Sequence, residues 1–152
     1  MVHITVERTI DAPPDEVFAW LGDSSNYTAS PMVLREKRTR DGKGAPYGVG
    51  AERVILGVGA WFREVITSYD APHEFSYLIV RSVPPIRHDG GSLHITARGA
   101  GSHVRWDTSY THPAASGGPV LGRVTEPLLR FAFNGILKAC DEQLSRSVGH
   151  RA

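Results

Sequence analysis

Val2, Ile4 and Val6 alternate with His3, Thr5 and Glu7, the period-two pattern of a strand with one buried face. Pro13 and Pro14 follow, with Asp15 and Glu16 next to them and Val17, Phe18, Trp20 and Leu21 on one side. Proline pre-sets the first helical turn and acids favour its positive end, so the spacing predicts a short helix ending near Gly22. Asp23 is placed to cap a second short helix through Asn26 and Tyr27, which Ser30-Pro31 would close. From Met32 onward the pattern turns to strands, predicted over 33–40, 51–56, 60–69, 74–82, 92–98 and 103–112. Each break carries the glycine or proline that a reversal needs, from Asp41-Gly42 through Gly50 to Gly99-Ala100-Gly101. Six strands in succession imply an antiparallel meander, seven-stranded with the first.

The closing segment has a different period. Steps of about 100° over 119–148 put Leu121, Leu128, Leu129, Ala132, Ile136, Ala139 and Cys140 on one side of a long helix, with Arg123, Arg130, Asn134, Lys138 and Asp141 opposite. A helix laid across a curved sheet leaves a cup between them, suited to an apolar molecule.

Composition narrows the class. The 152 residues suit one domain spanning 1–152. With 17 basic and 16 acidic side chains the net charge is +1, which supplies no field for nucleic acid or an anionic membrane. No apolar run approaches the length of a membrane span and 1–10 lacks a secretory pattern, so the expected location is the cytoplasm, without stable membrane insertion. The oligomeric state is left open. The lone Cys140 cannot form an internal disulfide and, on the apolar side of the helix, reads as a small buried hydrophobe.

Hairpin register assigns the strand faces. A tight reversal at 99–102 with Arg98 opposite His103 pairs Ala97 with Val104, Ile95 with Trp106 and Leu93 with Thr108, an apolar face. The other face pairs Thr96 with Arg105 and His94 with Asp107, a solvated array rather than a metal site or dyad. A turn over Asp70–His73 with Tyr69 opposite Glu74 puts Phe62, Glu64 and Ile66 on one face with Phe75, Tyr77, Ile79 and Arg81. A carboxylate and a guanidinium in an apolar cup must pair or stay hydrated, which makes Glu64 and Arg81 the expected polar pair; a one-residue slip would send both outside. Tyr47-Gly48-Val49-Gly50 and Gly57-Val58-Gly59 join strand to strand and read as turns rather than phosphate loops. His88 is expected in a solvated loop after Pro84-Pro85, near the cup's mouth. There is no nucleophile elbow, helical His pair or Cys pair, so no cofactor or metal is assigned.

The chain resembles the Bet v 1-like, START-related (SRPBCC) superfamily, and within it bacterial polyketide cyclase/dehydrase-type proteins. The resemblance rests on Ile10-Asp11-Ala12-Pro13 leading into Val17 and Trp20, on Arg63-Glu64-Val65-Ile66-Thr67 followed by Asp70-Ala71-Pro72 and Tyr77, and on Pro127-Leu128-Leu129-Arg130. It implies an α+β helix-grip fold, with a cavity between sheet and C-terminal helix that takes hydrophobic or amphipathic ligands. The expected function is binding or transport of a lipid, polyketide or isoprenoid, held by Phe62, Glu64, Ile66, Tyr77, Ile79, Arg81, Leu93, Ile95, Trp106, Tyr110, Leu128, Ala132 and Ile136. An alternative is a cyclase or dehydratase whose acid–base and partner groups come from Glu64, Tyr77, Arg81 and Tyr110. A weaker one is a protein-interaction or stress-linked module, for which the sequence displays no exposed apolar stripe.

Overall fold

The computed structural model describes residues 1–151, and side chains through Ser145. Seven strands form one antiparallel sheet in the order β1-β7-β6-β5-β4-β3-β2. They are β1 (Val2–Ile10), β2 (Val33–Arg40), β3 (Glu52–Gly57), β4 (Ala60–Asp70), β5 (Glu74–Val83), β6 (Arg87–Arg98) and β7 (Gly101–Thr111). Between β1 and β2 lie α1 (Pro14–Gly22) and a 3-10 helix (Ser24–Ala29), which Asp23 caps by accepting the Ser25 N–H. The long helix α2 (Gly118–Arg151) closes the chain. This is the helix-grip arrangement that the resemblance implies.

The β6–β7 hairpin is tighter than expected. Arg98 pairs with Gly101, Ile95 with Val104 and Leu93 with Trp106, a register two residues from the predicted one. Because side chains alternate with period two, a shift of two leaves every face unchanged. Leu93, Ile95, Val104 and Trp106 are accordingly buried, while His94 reaches Glu74 rather than Asp107, on the outer face. Asp107 accepts from Thr5 and Arg105 there.

The β4–β5 hairpin differs in a way that does change faces. Tyr69 pairs with Phe75, Glu64 with Ile79, and Arg63 with Arg81, with irregularities between Arg63 and Glu64 and between Ile66 and Ser68. The extra residue, Val80, leaves both Val80 and Arg81 on the outside. Arg81 is exposed, so it is not part of the cavity and does not pair with Glu64.

The segment expected as a loop over 83–91 is mostly strand, since β6 begins at Arg87. Gly90 and Gly91 mark a bulge opposite Ser109 and Thr108 rather than a turn. A Cβ on Gly91 would lie 2.2 Å from Tyr77 Cζ, so the glycine makes room for that ring.

The core lies where β1, β6 and β7 meet α1 and the second half of α2. Ile4, Val17, Leu21, Leu93, Val104, Leu137 and Cys140 are all fully enclosed. The Phe18 ring meets Tyr69 and Phe75 edge-on at 5.2 and 5.7 Å. Edge strand β1 is covered by α2: Arg130 donates to the Thr5 carbonyl at 3.0 Å and Arg8 reaches Asp141 at 2.9 Å. Trp20 Nε1 donates to Gln143 Oε1 at 2.8 Å, tying α1 to the same half of α2.

The first half of α2 is different. Val120, Val124, Leu128 and Phe131 are half-exposed or more, an apolar stripe that the sequence reading did not anticipate, since it placed Leu128 on the buried side.

Candidate functional site: a cavity between sheet and helix

Lacking core beneath it, the first half of α2 stands off the sheet and roofs a cavity of about 270 Å³. Ile55, Phe62, Ile79 and Trp106 form its sheet wall, and Leu121, Leu128, Leu129, Ala132 and Ile136 its roof. The Gly57-Val58-Gly59 turn, Pro84 and Ile86 also line it. Of the residues singled out in the sequence, Phe62, Glu64, Tyr77, Ile79, Trp106, Tyr110, Leu128, Ala132 and Ile136 line this space. Ile66, Leu93 and Ile95 face the same way but belong to the packed core, outside the lining.

The inward carboxylate finds its cation on the neighbouring strand. Arg53 stands directly opposite Glu64 in the β3–β4 ladder, and its Nε donates to Glu64 Oε1 at 2.8 Å. The two side chains are 1% and 8% exposed. The guanidinium carbon lies 5.5 Å from the Tyr27 ring and 5.4 Å from the Tyr77 ring, cation–π contacts that suit a desolvated arginine. Burial raises the Glu64 carboxyl and Arg53 opposes part of that rise. Arg53 itself is drawn down by burial and up by the carboxylate, with a net rise, and stays charged. Arg53 was missed because the β3 faces were not assigned. A two-residue reversal at Val58-Gly59 pairs Gly57 with Ala60, and counting back from it places Arg53 opposite Glu64.

Next to the pair, Tyr77 Oη accepts from Trp106 Nε1 at 2.9 Å, and the Trp106 ring stacks on Phe133 at 4.2 Å. His88, expected in solvent, is buried instead because it lies on β6, and its ring stacks on Tyr77 at 5.6 Å. Its Nδ1 accepts the Ile79 N–H at 2.9 Å, which leaves Nε2–H to donate to Thr108 Oγ1 at 2.7 Å. Burial lowers this imidazole to about 4, so it is neutral near pH 7. Burial also pushes Tyr27 up to about 12 and Tyr77 and Tyr110 upward, keeping them phenols. The same cause lifts the Cys140 thiol to about 12, an unreactive state.

A second polar group fastens the roof. His112 Nδ1 donates to the Pro85 carbonyl at 3.2 Å, so Nε2 accepts from Thr125 Oγ1 at 2.9 Å, and the Tyr110 hydroxyl donates to the same Thr125 oxygen at 2.9 Å. His112 and Thr125 were not among the sequence candidates, because their meeting joins the end of β7 to a helix turn thirteen residues away. The cavity as a whole is a mainly apolar space with a buried ion pair in one wall and a hydrogen-bonded relay between wall and roof.

No curated protein sequence matches the chain. Solved structures share its fold at low identity. A Thermus thermophilus protein is 17% identical with a TM-score of 0.75, covering 96% of this chain and 99% of its own. A START superfamily protein from Mycobacterium smegmatis is 8% identical with a TM-score of 0.72, over 95% and 97%. Ara h 8.0201 is 16% identical with a TM-score of 0.65, over 95% and 98%. Among the described residues no helix is long and apolar enough to cross a membrane. A family model described as polyketide cyclase/dehydrase and lipid transport matches residues 1–149, nearly the full length, and the chain belongs to that family.

Proposed function

We propose that this protein binds and carries a hydrophobic small molecule of the lipid, polyketide or isoprenoid class in the cavity beneath α2. The observation that carries this reading is the lining itself: aliphatic and aromatic side chains surround the space, and its polar groups are almost all paired with one another. Burying apolar ligand surface contributes about 25 cal/mol per Å², so such a wall favours a ligand that brings mostly hydrocarbon. The family description supports the same reading. The test is solvent extraction and mass spectrometry of natively purified protein, beside titration with the uncharged probe N-phenyl-1-naphthylamine. Co-purifying hydrophobic molecules and saturable probe fluorescence are expected; a protein that carries none and leaves the probe dark would overturn the proposal.

One observation favours a second reading, a cyclase or dehydratase. Glu64 is a cavity carboxylate with a raised pKa, the property a general acid or base requires. Turnover of a model polyketide by the wild type that Glu64→Gln lowers by about 100-fold while probe binding persists is the outcome that would establish it.

A further inference from the structure

Glu64 uses only one of its carboxylate oxygens inside the protein. Oε1 accepts from Arg53, whereas Oε2 has no hydrogen-bond partner among the described residues. The side chain is more than nine-tenths buried and lines the cavity. The guanidinium of the pair also lines the cavity, but its Nη1 is fully enclosed, in a group flanked by the Tyr27 and Tyr77 rings. Glu64 Oε2 is thus an acceptor that the pair offers to a ligand.

Charge balance restricts what can approach it. Among the described residues, Arg53 and Glu64 are the only Arg, Lys, Asp or Glu side chains in the cavity lining, and they neutralise each other at 2.8 Å. The lining imidazole whose tautomer the Ile79 N–H sets, His88, is neutral. A carboxylate ligand would bring an uncompensated negative charge into an apolar space, beside a carboxylate oxygen, which is costly. An ammonium group would leave an equally uncompensated positive charge next to Arg53.

We infer that the ligand is uncharged and presents a hydroxyl group, which donates to Glu64 Oε2 while the rest of the molecule fills the apolar space. The inference rests on the cavity-binding reading above and names the ligand class that this wall selects. Rejection of anions is part of the specificity, because selection works as much by unpaired charge against the wrong ligand as by contacts to the right one.

The test compares three ligands of one chain length, a saturated alcohol, its methyl ether and the corresponding carboxylic acid, as competitors of N-phenyl-1-naphthylamine at about pH 8. Hydrogen bonds to charged groups contribute about 1.5–3 kcal/mol, so the alcohol should displace the probe at a concentration about 10-fold or more below that of the ether or the acid. The double variant Arg53→Met/Glu64→Leu replaces the pair with apolar groups, the exchange that buried pairs tolerate, and circular dichroism checks its fold. Whatever its affinity for the probe, it should lose the preference for alcohol. An ether or acid that competes with the wild type as well as the alcohol does would overturn the hydroxyl assignment while leaving the carrier reading in place. A preference that survives in the double variant would overturn the role of Glu64. Failure of the probe and of all three competitors to bind the wild type would overturn both readings.

Discussion

The imidazole of His88 accepts the Ile79 N–H at Nδ1 and donates from Nε2 to Thr108, an arrangement that has room for one ring proton only. Its pKa falls from about 6.5, the unfolded value, to about 4 in the folded protein. The unfolded chain therefore takes up this proton first as pH drops. The contribution to stability is complete above about pH 6.5 and is lost as pH falls toward about 4, amounting to on the order of 2 kcal/mol after allowance for partial exposure. Urea midpoints of the wild type should fall more steeply across that window than those of His88→Gln, which can keep an acceptor and a donor without titrating. Parallel pH profiles would refute the assignment. The same residue shows the limit of reading single positions. Pro84-Pro85 and Gly90-Gly91 flank His88 with turn signals, yet one pair precedes a strand and the other bulges it.

Helix α2 divides into two halves with different partners. Ile136, Leu137, Ala139 and Cys140 are enclosed against the core, whereas Leu128 lines the cavity with half of its surface exposed. Truncating an enclosed leucine removes transfer energy and leaves a hole, so Leu137→Ala should cost about 2–5 kcal/mol in urea unfolding. Leu128→Ala should cost under about 1 kcal/mol, because water already reaches the side chain, and should weaken N-phenyl-1-naphthylamine binding several-fold. Equal stability losses for the two variants would show that the roof is packed like the core. Periodicity put Leu128 and Ile136 on one face, as they are, but it carries no information on how far the helix stands from the sheet. That separation depends on Gly122, Thr125 and the anchors at Arg130 and Asp141, which are read only against Val2, His112, Thr5 and Arg8.

At the scale of the whole molecule, the cavity is apolar surface that folding leaves without packing partners, and a ligand completes it. Binding to the folded state alone adds about 2.7 kcal/mol at a ligand concentration 100 times Kd, which for a chain of this size raises Tm by about 5–10 °C. Differential scanning calorimetry with the matched alcohol should show that rise in the wild type; an unchanged Tm at saturating probe fluorescence would show that the ligand sits outside the cavity. The meander from β2 to β7, the two early helices and the long closing helix follow from the sequence by itself, since period, turn residues and capping act over a few neighbouring positions, whereas the place of β1 beside β7 was decided by the tertiary structure. Which strand face turns inward at Leu93, Ile95 and Trp106 also follows, because a register error of two preserves parity. The fate of Arg81 and the pairing of Glu64 with Arg53 were decided by the tertiary structure. A single extra residue at Val80 reverses the facing beyond it, and a buried charge settles opposite the cation that the adjacent ladder supplies. The cavity's volume and the meeting of His112 with Thr125 were decided there as well, since both depend on the distance between elements remote in sequence, which no local pattern encodes.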